Sequence, residues 1–156
     1  ANFAKALEGA GAAGVVLFNR FYQPDIDLDE MEVQPQLRLS DPSELLLRLR
    51  WLAIISPQVR FSLAATGGVH RSEDAIKALL TGADVVQVVS ALLQNGPRFV
   101  SVLLKGMRDW MGGHGYESID ELRGAMNLRR CPDPSSFERA NYIRILQAWK
   151  VSNSDE

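Results

Sequence analysis

Three short, almost unbroken apolar runs constrain this chain more than any other feature: Gly14-Val-Val-Leu-Phe18, Phe61-Ser-Leu-Ala-Ala65 and Asp84-Val-Val-Gln-Val-Val89. Each is followed by turn residues and a helical pattern, giving the order βαβαβα. Strands that are apolar on both faces belong to parallel sheets covered on both sides, and parallel strands need crossover helices between them. Right-handed crossovers then leave two architectures, a doubly wound α/β sheet or a (β/α)₈ barrel.

The helices are readable between these runs. Residues 2 to 9 place Phe3, Ala4 and Leu7 on one stripe before Gly9-Ala-Gly11, so the sequence opens on a helix already under way, as if in mid-fold. Residues 20 to 40, with Pro24, Pro35 and the acidic stretch Asp25 to Glu32, read as a long irregular loop, a length more often functional than connecting. Asp41-Pro-Ser-Glu44 sets a capping acid, a first-turn proline and a third-position glutamate ahead of a helix over residues 42 to 54. Ser72 is expected to cap a helix burying Ala75, Ile76, Leu79 and Leu80, with Gly82 closing it. A further helix from Pro97 carries Phe99, Val102, Leu103, Met107 and Trp110. Beyond residue 113 short helices take over, with capping boxes at Ser118–Glu121 and Ser135–Glu138 and a largely apolar helix over residues 135 to 149 that needs a surface to lie against.

Composition removes several classes of function. With 46% hydrophobic and 23% charged residues the chain is globular, and a net charge of −2 with interspersed signs offers no positive field for nucleic acid or an anionic membrane. Cys131 stands alone, and His70 and His114 lie far apart, so neither a disulfide nor a metal-ligand cluster is in view. No apolar stretch approaches the ~18 residues of a membrane span, and no signal-peptide pattern opens the sequence. These features fit a reducing, cytoplasmic setting.

The strongest chemical signal is Ala65-Thr-Gly-Gly-Val69 at the end of one strand, followed by Val88-Val-Ser-Ala91 at the end of the next. A phosphate needs several backbone N–H groups aimed at it with no side chain in the way, which is what adjacent glycines at a strand's C-terminal end supply. Ser90 adds a hydroxyl donor, and the helix after it a favourable dipole. In (β/α)₈ barrels, phosphate sites commonly lie in the loops after the last two strands. A Gly-Gly pair alone reads equally as a tight turn; the pairing of two strand ends carries the phosphate reading.

Residues 63 to 127, from Leu63-Ala-Ala-Thr-Gly-Gly-Val69 through Ala83–Leu92 and Asn95-Gly-Pro97 to Gly115–Gly124, resemble the C-terminal end of the dihydroorotate dehydrogenase family, and residues 5 to 19 resemble the preceding helix and sixth barrel strand. The resemblance spans about three quarters of the chain and is weak in residues 20 to 60 and after 128. It implies an α/β fold, the C-terminal part of a (β/α)₈ TIM barrel over residues 1–113 with a helical extension over 114–156. It implies an FMN-dependent oxidoreductase acting on a CH–CH bond of a pyrimidine-type substrate. By the resemblance, Gly67, Gly68 and the backbone around Val69 hold the FMN phosphate. Ser90 and Ala91 complete that site where the family usually has Thr-Ala, and Asn19 meets the substrate ring. Val89 stands where a glycine often precedes the hydroxyl residue. Of the family's glycine-rich flavin loop, only Ser40 in Leu37–Pro42 finds a match. The family's catalytic base and flavin lysine come from earlier strands, so this chain holds no catalytic residue of its own and is expected to be inactive alone.

Two other readings stay open at this level. Three strands cannot close an eight-stranded barrel, so the chain is either completed by the missing half or by another copy, or is a non-catalytic phosphate-binding assembly module. A non-flavin barrel enzyme acting on a phosphorylated small molecule shares the same last two strands.

Overall fold

Helix α1 (Asn2–Gly9) turns at Gly11 into strand β1 (Gly14–Leu17), and from there the chain alternates as its apolar runs require. The computed structural model describes residues 1–20, 23–137, 142, 146 and 147. Strand β4 (Ser62–Thr66) lies between β1 and β5 (Val85–Gln87), parallel to both, with Val15 opposite Leu63, Leu17 opposite Ala65, and Ala65 opposite Val86. Helices α2 (Leu45–Ile55) and α3 (Ser72–Leu80) form the crossovers.

Register decides which face is core. Paired residues share a face, so Val15, Leu17, Leu63, Ala65 and Val86 point together and pack with Ala4, Leu52, Ile55 and Ala78 from α1, α2 and α3. Leu52, Ala65 and Ala78 are fully buried there. The opposite face carries Val16 and Val85, which are 48% and 50% exposed. The expected parallel sheet covered on both sides is therefore covered on one side among the described residues, and its second face is bare.

Residues 20 to 40 depart from the expected irregular loop. They contain an antiparallel hairpin, β2 (Asp25–Asp27) with β3 (Glu32–Gln34). Its turn is held by the Asp27 carboxylate, which accepts from the N–H groups of Asp29 and Glu30 at 3.0 and 3.1 Å. Each strand has one apolar residue between polar ones, too short an alternation to separate from loop by pattern.

The caps also differ in detail. The Asp41 carboxylate accepts from Ser43 N–H at 2.9 Å and opens a single 3₁₀ turn, Pro42–Glu44, before α2. Glu44 does not reach back to close a box; it turns to arginines instead. Ser72 is the first residue of α3 and not its cap. The Asp74 carboxylate does that work, accepting from the N–H groups of His70 and Arg71 at 3.0 Å each.

After β5, helix α4 (Ser90–Asn95) is brief and α5 (Phe99–Gly113) is long. Of the apolar set expected on α5, Leu103 is buried and Met107 and Trp110 pack towards α3, whereas Val102 is 57% exposed. The inward stripe is thus Leu103, Met107 and Trp110, at spacings of four and three. At α6 (Ile119–Leu122) Ser118 caps Glu121 N–H as expected, and the Glu121 carboxylate reaches Glu117 N–H rather than that of the cap residue.

Leu122 is fully buried against Ile76 and Leu79. The following segment is tied down by Gly124 N–H to Leu79 O, Met126 N–H to Leu80 O and Leu128 N–H to Ala53 O, at 2.8 to 3.0 Å. It closes the end of the fold where the strands begin and leaves their C-terminal ends open. The expected helix over residues 135 to 149 lies mostly outside the described residues. Among the described residues no helix is long and apolar enough to cross a membrane.

Candidate functional site

The C-terminal ends of the three parallel strands form one pocket of about 250 Å³. β1 delivers Asn19 and Arg20, β4 delivers Thr66, Gly67, Gly68 and Val69, and β5 delivers Gln87, Val89 and Ser90. Ser40, at the end of the long excursion from β1, lies on the same wall. Seven of the eight residues singled out from the sequence therefore meet: Asn19, Ser40, Gly67, Gly68, Val69, Val89 and Ser90. Ala91 is the exception, fully buried and absent from the wall.

The glycine turn has two physical explanations that act together. Gly67 and Gly68 have φ of +83° and +81°, a region that L side chains adopt at a cost. A Cβ on Gly68 would lie 2.5 Å from the backbone nitrogen of Leu45, and one on Gly67 would lie 2.9 Å from an Arg48 guanidinium nitrogen. The turn is thus pressed onto the first turn of α2, and packing alone demands glycine at Gly68. The evidence for a ligand is separate. The N–H groups of Gly68 and Val69, both buried, find no acceptor among the described residues, while Gly67 N–H stands at the end of the β4–β5 ladder, where Thr66 pairs with Gln87. Buried backbone donors without a partner are uncommon, and successive N–H groups at a strand end are donors that an anion can satisfy.

Ser90 and Ser40 close the pocket's floor. Both are buried, at 9% and 5% exposure, and the Ser90 hydroxyl oxygen accepts from Ser40 N–H at 3.0 Å and from Ser40 Oγ–H at 2.8 Å. Ser90 keeps its own hydroxyl proton for a further acceptor. The helix dipole expected behind Ser90 is slight, because α4 is only six residues long and begins at Ser90 itself.

An ionic network that sequence reasoning passed over lies behind this wall. Arg48 on α2 is 7% exposed; its Nε–H donates to Thr66 O at 2.8 Å, a terminal N–H donates to Glu44 O, and the other terminal nitrogen lies 3.4 Å from Glu44 Oε2. The second carboxylate oxygen of Glu44 pairs with Arg20 on the pocket rim at 3.1 Å. The signal was present in the sequence: Leu45, Arg48 and Leu52 form one helical stripe, so an arginine stands on the buried face with a glutamate four residues before it.

The remaining candidates fall elsewhere. His70 borders the turn but does not line the pocket; its Nε2 is buried without a hydrogen-bond partner among the described residues. His114 contacts Trp110 O through Nδ1 at 2.8 Å and stacks on the Trp110 ring at 3.9 Å, and Cys131 is buried.

No family model matches the chain. Individual relatives do. The catalytic subunit of dihydroorotate dehydrogenase B (NAD(+)) from Trichlorobacter lovleyi is 31% identical over 128 residues, which is 79% of this chain and 41% of that protein. The protein of the same name from Methanothermobacter thermautotrophicus is 28% identical over 126 residues, 78% of this chain and 41% of its own length. A probable dihydroorotate dehydrogenase A (fumarate) from Enterococcus faecalis is 38% identical over 72 residues, 46% of this chain and 22% of that protein. In structure the chain is similar to a ligand-free dihydroorotate dehydrogenase from Eimeria tenella, with a TM-score of 0.64 at 16% identity over 79% of this chain and 35% of that one. The chain spans about two fifths of the length of the dihydroorotate dehydrogenase B relatives. Over about 80% of its length, this chain is homologous to proteins named dihydroorotate dehydrogenase.

Proposed function

We propose that this chain is the FMN-phosphate-binding, C-terminal part of a (β/α)₈-barrel oxidoreductase of the dihydroorotate dehydrogenase type, acting on a CH–CH bond of a pyrimidine-type substrate. The observation that carries the reading is the convergence of Gly67, Gly68, Val69, Ser40, Ser90 and Asn19 on one pocket at the carboxyl ends of parallel strands. Barrel enzymes keep their sites at that end. The relatives favour this reading over a non-catalytic module or a non-flavin barrel enzyme.

The residues suit the group. A phosphate dianion would satisfy the unpaired N–H donors of Gly68 and Val69 and accept from the Ser90 hydroxyl, whose oxygen is already engaged by Ser40. Val69 and Val89 would contribute backbone and walls rather than polar side chains, and Ala91 lies buried outside the wall. A volume of about 250 Å³ holds the phosphate and the adjoining chain of the cofactor, so the ring system must lie outside it. Asn19 is exposed at the mouth and is able to donate and accept at once, the pairing that an amide-like ring edge requires. Bound flavin supplies hydride-transfer chemistry, and the protein's share is binding and orientation.

The bare sheet face supports the barrel part of the proposal. Val16 and Val85 on that face would be enclosed once the sheet closed on itself. An apolar groove of about 610 Å³ beside β1, lined by Phe3, Val16, Phe18 and Trp51, is the seat for the neighbouring strand-helix unit. Residues 1–113 would form the barrel part and residues 114–156 the extension. A small-molecule substrate and the rest of the barrel, or a second copy, are the partners this reading implies.

The test is a visible-absorbance titration with FMN, on the chain alone and mixed with the preceding part of the barrel. Flavin retained in either sample is the expected result. Flavin retained in neither, with tight binding of another phosphate ester, would replace the flavin reading with a phosphorylated-substrate enzyme.

A further inference from the structure

The geometry points to Arg48 as a positioning residue, one that anchors the Thr66 carbonyl and so places the Gly67–Gly68 turn with its Gly68 and Val69 N–H groups towards an anion. The inference rests on the phosphate reading of the pocket and deepens it. A buried arginine is uncommon unless fully paired, and an apolar residue in its place is often no less stable, so a buried ion pair needs a reason other than stability. Here the reason is geometric. Arg48 Nε–H holds the Thr66 carbonyl at 2.8 Å from the α2 side, while the Glu44 carbonyl and carboxylate fix the other end of the guanidinium.

The peptide group is planar and trans, so its C=O and N–H point in opposite directions. Holding the Thr66 carbonyl towards α2 therefore turns the Gly67 N–H away from α2. Without that hold the turn after Thr66 is anchored only on its β5 side and is able to shift, because two successive glycines at positive φ offer little steric resistance. Arg48 also sits where a Gly67 side chain would be, at 2.9 Å from a Cβ there, so the guanidinium and the missing side chain are two halves of one arrangement. Its charge is compensated by Glu44, whose other oxygen holds Arg20 on the rim, and the same network spans the back and the mouth of the pocket.

The test compares wild type, Arg48→Met and Arg48→Lys in the full chain, each shown to be folded by circular dichroism. The readouts are affinity for FMN and for riboflavin, which lacks the phosphate. Both variants are expected to bind FMN more weakly, by about ten- to a hundredfold for Arg48→Met, the scale of a hydrogen bond to a charged group. Riboflavin affinity should stay unchanged. Lysine keeps the charge but not the fork that holds two carbonyls at once, so it should not restore FMN binding fully. Unaltered FMN affinity in Arg48→Met, equal loss of both flavins, or unfolding of both variants would overturn the proposal. If wild type binds neither flavin, alone or with the preceding part of the barrel, the flavin reading fails, and the ¹³C carbonyl shift of Thr66 in the free chain then decides for Arg48. A shift changed in folded Arg48→Met upholds the positioning role, and an unchanged one refutes it.

Discussion

Replacing Gly68 by alanine should destabilise the fold by about 2 to 5 kcal/mol, from two separable contributions. At φ of +81° an L residue is in the left-handed region, costing roughly 1 to 2 kcal/mol. The new Cβ would also sit 2.5 Å from Leu45 N, 2.9 Å from Leu45 Cβ and 3.0 Å from Leu45 Cα, so the first turn of α2 must move; overpacking of this kind costs about 1 to 3 kcal/mol. Gly67→Ala shares the first contribution, but its Cβ would meet a side-chain nitrogen of Arg48 at 2.9 Å and not backbone at 2.5 Å. It should therefore cost less. Gly112→Ala, in α5 with nothing near its Cβ, should stabilise by about 0.5 to 1 kcal/mol as an ordinary helical substitution. Urea unfolding with matched m-values reads all three. A Gly68→Ala midpoint indistinguishable from wild type would refute the close seating of the turn on α2.

Other outcomes follow from the same packing. Ser90→Ala removes the acceptor of two buried Ser40 donors and should cost about 1 to 3 kcal/mol in urea unfolding, with weaker FMN retention alongside. Leu52→Ala, at a fully buried position in the main core, should cost about 2 to 5 kcal/mol by the same assay. The Ser43 hydroxyl, and then the Ser43 N–H, hold the Asp41 carboxyl below its ordinary 3.8. A depressed folded value gives stability that is present above the unfolded value and lost as pH falls through the folded one. The Tm advantage of wild type over Asp41→Asn should accordingly be present at about pH 5 and disappear as the pH falls below 3.8.

The parallel strands and the crossover helices were legible because apolar runs and cap residues are local signals. That Gly67, Gly68 and Ser90 meet at one pocket was legible because they stand at the ends of two successive strands. What stayed hidden depends on tertiary contact. The Ser40–Ser90 pair joins residues fifty positions apart, and Gly68 owes part of its identity to Leu45, which no local pattern reveals. The bare sheet face was hidden for another reason: Val16 and Val85 carry the sequence of buried strands, and a run of valines states what a residue is suited to, not what covers it in this chain. Arg48 was overlooked although its place on a buried helical stripe was visible, because a charged residue in a leucine-rich run is easily read as solvent-facing.

The most direct test of the central claim is a crystal structure of the full chain, completed by the rest of its barrel, with FMN. The phosphate is expected within hydrogen-bond distance of the N–H groups of Gly68 and Val69 and of the Ser90 hydroxyl. A phosphate seated elsewhere, with that turn left unliganded, would contradict the account.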